Sequence, residues 1–309
     1  MRVAVVGGGA LGSLLAAKLA PVCDLWLITG WAEHAAAIRR CGLALVDLDG
    51  SERAVPVQVA EEPEAVGAAV DLALIAVKSH DTRRAAQKAA RTLAADGLAL
   101  TLQNGLGNLE VIAEVVGPGR AAQGVTTMGA TLLGPGRVRY AGAGPIHLAG
   151  RADQAGRLEA VAALFRAAGF EAHIADDVAG LVWGKLVVNA AINALTALLR
   201  VPNGVLLEQP AARSLMAAAA QEAAAVARAL GVTLPFDDPV VRAEQVARAT
   251  AANRSSMLQD VLRCAPTEIE VINAAVVREG LRCGVPTPVN QVLTDLVRSL
   301  ERTYRARLA

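Results

Sequence analysis

The residues best suited to chemistry lie in Trp183–Thr196, WGKLVVNAAINALT, where Lys185, Asn189 and Asn193 recur every four positions among aliphatic and small side chains. In a helix, that spacing puts all three on one slowly drifting face. A lysine and two amides on an apolar helix are costly to bury without partners, because each leaves polar atoms unsatisfied. The pattern predicts a polar ligand that completes them; the alternative is a solvated helix edge. An ammonium in that position can stabilise negative charge growing on an oxygen and also supply it with a proton.

A second group falls in Asn253–Glu268, NRSSMLQDVLRCAPTE, with Ser255 and Ser256 inside a helical pattern and Glu268 after Pro266, in the first turn of another helix. Hydroxyls and a carboxylate suit the other wall of a cleft. Equally, a Ser-Ser pair serves as a helix cap and a carboxylate suits the positive end of a helix dipole. Lys78 follows the apolar run Leu72–Val77, and Asn104 in LQNGLGN follows Leu98–Leu102. Both stand at carboxyl ends of predicted parallel strands, where open α/β sheets bind ligands, although Asn104-Gly105 reads equally as a turn.

These positions require a sheet to carry them, and it starts at the N-terminus. Residues 2–20, RVAVVGGGALGSLLAAKLA, form a β-branched strand, then Gly7, Gly9 and Gly12 in G-x-G-x-x-G spacing, then an Ala/Leu-rich helix. The first glycine makes the tight turn, the second lets the backbone approach a pyrophosphate, and the third lets helix and strand pack closely. The anion rests on helix N-terminal amides. With Gly8, Ala10 and Leu11 between them, these glycines predict a dinucleotide-binding loop.

Asp24–Ile28, Leu72–Val77 and Leu98–Leu102 read as further buried strands, with a helix after Leu72–Val77 that runs to about Ala95 and a hairpin at Asp49-Gly50. Alternating strand and helix predicts right-handed β-α-β units and a mostly parallel sheet. Arg137–Tyr140 and Ile146–Leu148 are expected to finish that sheet. From about Asp177 the chain reads as helix after helix, broken at Pro202, Gly231, Pro235 and Gly284–Pro286. The reading is an α/β fold with two domains: a Rossmann-type dinucleotide-binding domain over 1–177 and an all-α domain over 178–309.

At 309 residues and 54% apolar composition the chain can bury a large core. A net charge of +1 with interspersed signs argues against nucleic acid or an anionic membrane and for a small-molecule partner. No uninterrupted apolar run long enough to span a bilayer is expected, and the N-terminal strand leads into a glycine turn rather than a signal peptide, so a cytoplasmic location is expected. Cys23, Cys41, Cys264 and Cys283 are scattered without a C-x-x-C pair and are read as buried reduced thiols, with no metal site. The Ala-rich helices would serve as core or as the surface of a homodimer.

The motifs GGGALG at Gly7–Gly12, VKS at Lys78, QNGLGN at Asn104, KLVVNAAINALTAL at Lys185, and SSMLQDV followed by TEIEVIN at Glu268 occur in an order and spacing that resemble the ketopantoate reductase (2-dehydropantoate 2-reductase) family along the whole chain. The resemblance implies NADPH-dependent reduction of the 2-keto acid 2-dehydropantoate to (R)-pantoate, a step in pantothenate and coenzyme A biosynthesis. It implies that Lys185 is the general acid and that Glu268 contacts both the substrate hydroxyl and the cofactor. Asn189, Asn193, Asn203 and Ser256 would hold the substrate's hydroxyl and carboxylate. Asn104 would touch nicotinamide and substrate, and Lys78 and Ala130 would make further cofactor contacts.

The chain departs from the family pattern in two places. Many members carry an arginine after the second strand to meet the 2′-phosphate of NADP, where this chain has Ile28-Thr29-Gly30-Trp31. A ribose-binding acid is also missing from that strand end, since Glu33 falls in the next helical stretch. The resemblance still favours NADP(H), with Lys78 and His34 as phosphate partners, and leaves NAD(H) possible. Ala194 stands where the family often has proline. Two other readings compete: an NAD-dependent D-2-hydroxyacid dehydrogenase acting on another branched 2-keto acid, and a non-catalytic dinucleotide-binding regulator. The second predicts damage at Lys185 or Glu268, and both residues are intact.

Overall fold

An aliphatic, β-branched run that is covered on both faces becomes a buried parallel strand, and the first half of the chain repeats that unit. The computed structural model describes residues 1–176 and 178–306, so Asp177, where the sequence places the domain boundary, lies outside the described residues. The strands in chain order are β1 (Arg2–Val6), β2 (Asp24–Ile28), β3 (Leu43–Val46), β4 (Glu52–Val55), β5 (Gln58–Ala60), β6 (Val70–Ile75), β7 (Leu93–Thr101), β8 (Ala121–Thr126), β9 (Gly129–Gly134), β10 (Arg137–Gly142), β11 (Ile146–Ala149) and β12 (Ala172–Ile174). One sheet runs β12-β11-β8-β7-β6-β1-β2-β5 and is parallel at every pair except β8 with β11.

Helices α1 (Ala10–Leu19), α2 (Ala32–Cys41), α3 (Thr82–Thr92), α4 (Asn108–Val116) and α5 (Ala155–Ala167) complete this half. The two-residue period of β1 divides its side chains between two cores. Val3 and Val5 pack with Leu14, Leu15, Ile38 and Phe165, whereas Ala4 and Val6 pack with Ala86, Ala89 and Ile112.

Two expectations need correction. Ile146–Ala149 does join the main sheet, but Arg137–Gly142 does not: β10 pairs with β3 and β9 in a second, four-stranded sheet, β4-β3-β10-β9. Its inward Val138 and Tyr140 share a core with Leu43, Leu45, Leu14 and Leu15, so burial against α1 decides the partner. The helix expected to reach Ala95 stops at Thr92, where the chain turns extended and Leu93 pairs with Val70.

The remaining helices are α6 (Ala179–Leu199), α7 (Val205–Glu208), α8 (Pro210–Ala229), α9 (Pro239–Ala249), α10 (Ser256–Leu262), α11 (Asn273–Cys283) and α12 (Pro288–Arg302). By length and composition α6 could cross a membrane, but Lys185, Asn189 and Asn193 interrupt its apolar run and 67% of its apolar window is buried in the fold. Its Ala190, Ala191 and Ala194 pack in one core with Met216, Ala220 and Ala223 of α8, small residues that let helix axes approach closely. α6 runs unbroken through Ala194, a position where proline would remove a helical hydrogen bond.

Polar ties fix the helices around α6. Glu222 on α8 accepts from the backbone N–H groups of Val289 (2.8 Å) and Asn290 (2.9 Å), which caps α12 from a neighbouring helix. Asn273 donates to Ala190 O (2.9 Å) and to Asn290 Oδ1 (3.0 Å).

The chain divides into two compact units: Met1–Gln103 with Gly107–Val178, and the residues from Ala179 onward with Asn104–Leu106. The cysteines are free, but they are not buried as expected: Cys41 and Cys264 are exposed, and Cys23 and Cys283 are half-buried.

The tightest backbone approach lies where α1 leaves β1. A Cβ on Gly12 would sit 1.9 Å from Gly7 O. Gly12→Ala is therefore expected to destabilise the N-terminal unit by about 1–3 kcal/mol, as overpacking does. Chemical denaturation tests this, and an unchanged midpoint would refute the close approach.

Candidate functional site

In the helical unit, Lys185 and Asn189 form a half-buried stripe on α6, a helix whose other residues from Trp183 to Ala197 are buried. Asn193, one turn further along the same face, is only 6% exposed. Burial pulls the Lys185 ammonium down to about 8, while the charge of Glu268 holds it up. Glu268 is 5% exposed and does not lie in the first turn of an α-helix, as the sequence suggests. It precedes a single 3₁₀ turn, Ile269–Val271, that leads into α11. The Thr267 hydroxyl accepts from Ile269 N–H (3.2 Å), as a cap does, but the backbone at Ile272 (φ −107°, ψ −95°) leaves the helical region and separates this turn from α11.

Asn104 reaches the same carboxylate: its Nδ2 donates to Glu268 Oε2 at 3.5 Å. The segment is pinned by Leu106 N–H, which donates to Val271 O (3.0 Å). Gly105 has φ +82°, and a Cβ there would meet Val271 O at 2.3 Å. Asn104-Gly105 is therefore a turn, and one docked against the Glu268 loop. Lys185, Glu268 and Asn104 are thus brought together within one unit.

Ser255 proves to be a cap: its Oγ accepts from Leu258 N–H (3.1 Å) at the start of α10. It also pairs with the Thr196 hydroxyl at 2.7 Å. Thr196 Oγ1 donates to the Ile192 and Asn193 carbonyls, so Ser255 is the donor between the two hydroxyls. Ser256 is the first residue of α10 and half-buried. Asn203, 7% exposed, donates through Nδ2 to Thr250 Oγ1 (2.9 Å), while its Oδ1 is buried with no hydrogen-bond donor among the described residues. An orphaned buried acceptor carries a desolvation penalty that a ligand hydroxyl would relieve.

In the N-terminal unit, Gly9 is the N-cap residue of α1, and no side chain caps the helix. Unlike Gly12, Gly9 faces open space: the nearest atom to a Cβ there is Ala76 O, at 3.9 Å. The chain's own packing thus leaves room over uncapped amides, a cradle that fits the pyrophosphate of a dinucleotide.

Ser13 donates to Gly8 O (3.3 Å), His34 Nε2 donates to Ser13 Oγ (3.1 Å), and His34 Nδ1 accepts from Gly136 N–H (2.9 Å). His34 is 0% exposed, and burial lowers its pKa, which keeps it neutral. The reading of His34 as a phosphate partner is therefore wrong, because both ring nitrogens are engaged inside the domain. The available sequence signal was its place on the buried face of α2, four residues before Ile38.

Lys78 follows β6 at the start of the Ser79–Asp81 turn, and Ala130 lies on β9 opposite Tyr140. Gln103, which the sequence reading passed over, joins the ends of two strands by donating to Val77 O (2.7 Å) and Thr82 Oγ1 (2.9 Å). Among the described residues no group of three or more His, Cys, Asp or Glu is placed to hold a metal.

Comparison with known proteins finds matches over nearly the whole chain. The family described as Ketopantoate reductase PanE/ApbA matches residues 3–152, and its C-terminal part matches residues 177–301. The 2-dehydropantoate 2-reductase of Halobacterium salinarum is 41% identical over 305 residues, covering 98% of this chain and 99% of its own length. Among solved structures, a PanE/ApbA family ketopantoate reductase from Ralstonia eutropha JMP134 superposes with a TM-score of 0.90 at 35% identity, covering 99% and 100% of the two chains. D-mandelate dehydrogenase in a ternary complex with NADH and anilino(oxo)acetate gives a TM-score of 0.91 at 29% identity, covering 98% and 99%. With both halves matched and a relative 41% identical over nearly its full length, the chain belongs to the ketopantoate reductase family.

Proposed function

We propose that this chain reduces 2-dehydropantoate to (R)-pantoate with a nicotinamide dinucleotide as reductant. The observation that carries the reading is the Lys185 ammonium, drawn down to about 8 on a half-open stripe of an apolar helix beside the buried Glu268 carboxylate. When bound at Gly7, Gly8, Gly9, Ala10, Leu11 and Gly12, with Lys78, Ala130, Asn104 and Glu268 as further contacts, the dinucleotide supplies the hydride.

Reduction of a ketone builds negative charge on its oxygen. Lys185 Nζ stabilises that charge and donates the proton that completes the hydroxyl, after which the neutral amine is reprotonated from solvent. A pKa of about 8 leaves the ammonium charged at neutral pH yet nearer to the working pH than an ordinary lysine. Glu268 opposes further loss of that charge. Asn189, Asn193 and Ser256 offer donors to the substrate carboxylate, and Asn104 orients the reacting end. The orphaned Asn203 Oδ1 suits the hydroxyl of 2-dehydropantoate, which a hydrocarbon-tailed 2-keto acid lacks.

A second reading, an NAD-dependent D-2-hydroxyacid dehydrogenase, is favoured by the non-basic Thr29-Gly30-Trp31 at the end of β2 and by the likeness to D-mandelate dehydrogenase with NADH. On resemblance alone NADPH is the expected donor. That choice needs a cation at the 2′-phosphate, and His34 does not supply one.

Adding ketopantoate to the protein with NADH or NADPH is expected to bleach the nicotinamide absorbance. Turnover of other branched 2-keto acids but not of this one would move the assignment to the second reading. Lys185→Ala should lower kcat by about 10²- to 10⁴-fold, as loss of a general acid does, without changing dinucleotide affinity. Because the proton donor must be charged, the reduction rate of the wild-type protein should fall as pH rises through about 8. A rate flat from pH 7 to about 9 would remove Lys185 from the proton-donor role. Gly9→Ala, with room for its methyl, should fold normally and weaken dinucleotide binding by about tenfold or more in a calorimetric titration.

A further inference from the structure

The carboxyl end of β2 breaks a local rule. Trp31 is the N-cap residue of α2, and no side chain caps the helix, although Ser, Thr, Asp and Asn are the side chains that stabilise this position. Local departures of this kind mark functional positions.

Trp31 is also held rigidly. Its ring stacks on His34 with centroids 4.9 Å apart and planes 6° from parallel, and both nitrogens of that imidazole are bonded within the domain. Its backbone N–H donates to Thr29 Oγ1 (3.2 Å). The indole remains partly exposed, and beside it a Cβ on Gly30 would meet nothing within 4 Å. In doubly wound folds the adenosine half of a dinucleotide seated on the first glycine loop extends toward this strand end.

The charges there oppose a phosphate. An open helix N-terminus attracts an anion, but the exposed Glu33 in the first turn of α2 already supplies one. Glu61 and Glu62 follow β5, the strand next to β2. Arg39 pairs with Glu61 at 3.1 Å and Lys88 with Glu62 at 3.0 Å. Lys78 follows β6, and β1 lies between β6 and β2, which sets the two strand ends roughly 10 Å apart at ordinary strand spacing.

We propose that Trp31 and Glu33 select the dinucleotide that lacks a 2′-phosphate, NADH over NADPH, with the indole stacking against adenine and the carboxylate repelling a 2′-phosphate. The inference rests on the dinucleotide site proposed above. Calorimetric titration without keto acid separates the two, using NADH, NADPH, ADP-ribose and 2′-phospho-ADP-ribose. The wild-type protein is expected to bind NADH at least about tenfold tighter than NADPH. Trp31→Ala should weaken ADP-ribose, and Trp31→Arg combined with Glu33→Gln should reverse the order of the two dinucleotides. Glu33→Gln alone, an exposed change that leaves the fold intact, should narrow the gap by strengthening NADPH only. Tighter binding of NADPH by the wild-type protein, or a gap unaffected by Glu33→Gln, would overturn the inference while leaving the dinucleotide site standing. Binding of none of the four ligands would overturn both.

Discussion

An ammonium on an otherwise apolar helix is the constraint around which the helical unit is organised. Lys185 is carried by α6, whose other faces are core, so the helix must be enclosed by its neighbours while one stripe stays open. Alanine makes this possible: the Ala-rich faces of α6 and α8 allow close packing without side chains long enough to cover that stripe. Burial lowers the pKa of that amine, and the Glu268 carboxylate is the counter-charge that limits the fall.

The acidic partner is placed by an equally specific device. Instead of riding on a helix, Glu268 sits where Thr267 captures the Ile269 amide and the chain makes one 3₁₀ turn. Leu106 and Gly105 lock against that turn at Val271, which brings the Asn104 amide to the same carboxylate. One backbone junction therefore sets two of the polar groups that flank Lys185. The orphaned Asn203 acceptor adds a demand for a donor that the described side chains do not meet.

Much of this was legible in the sequence because the signals are local. The glycine spacing, the aliphatic strands and the four-residue recurrence of Lys185, Asn189 and Asn193 depend on short-range periods that tertiary contacts seldom override. What failed depended on distant partners. Arg137–Tyr140 reads as a strand in either sheet, and only burial of Val138 and Tyr140 against α1 sends it to the second one. Glu268 after a proline looks like the start of a helix, yet the backbone leaves the helical region at Ile272 after a single 3₁₀ turn. The spacing of His34 from Ile38 marks the buried face of α2, but its partners Ser13 and Gly136, 21 and 102 positions away, leave no local signal. The cysteines were misjudged because average burial by residue type says nothing about the last turn of α2, where Cys41 ends up exposed.

The chain of bonds from Gly136 through His34 and Ser13 to the Gly8 carbonyl has a thermodynamic consequence. It ties the glycine loop between β1 and α1 to three separated stretches of polypeptide. A diphosphate docking on that loop, as proposed above, would lose little conformational entropy there, and its contact energy would be retained as affinity instead of being consumed in ordering the backbone.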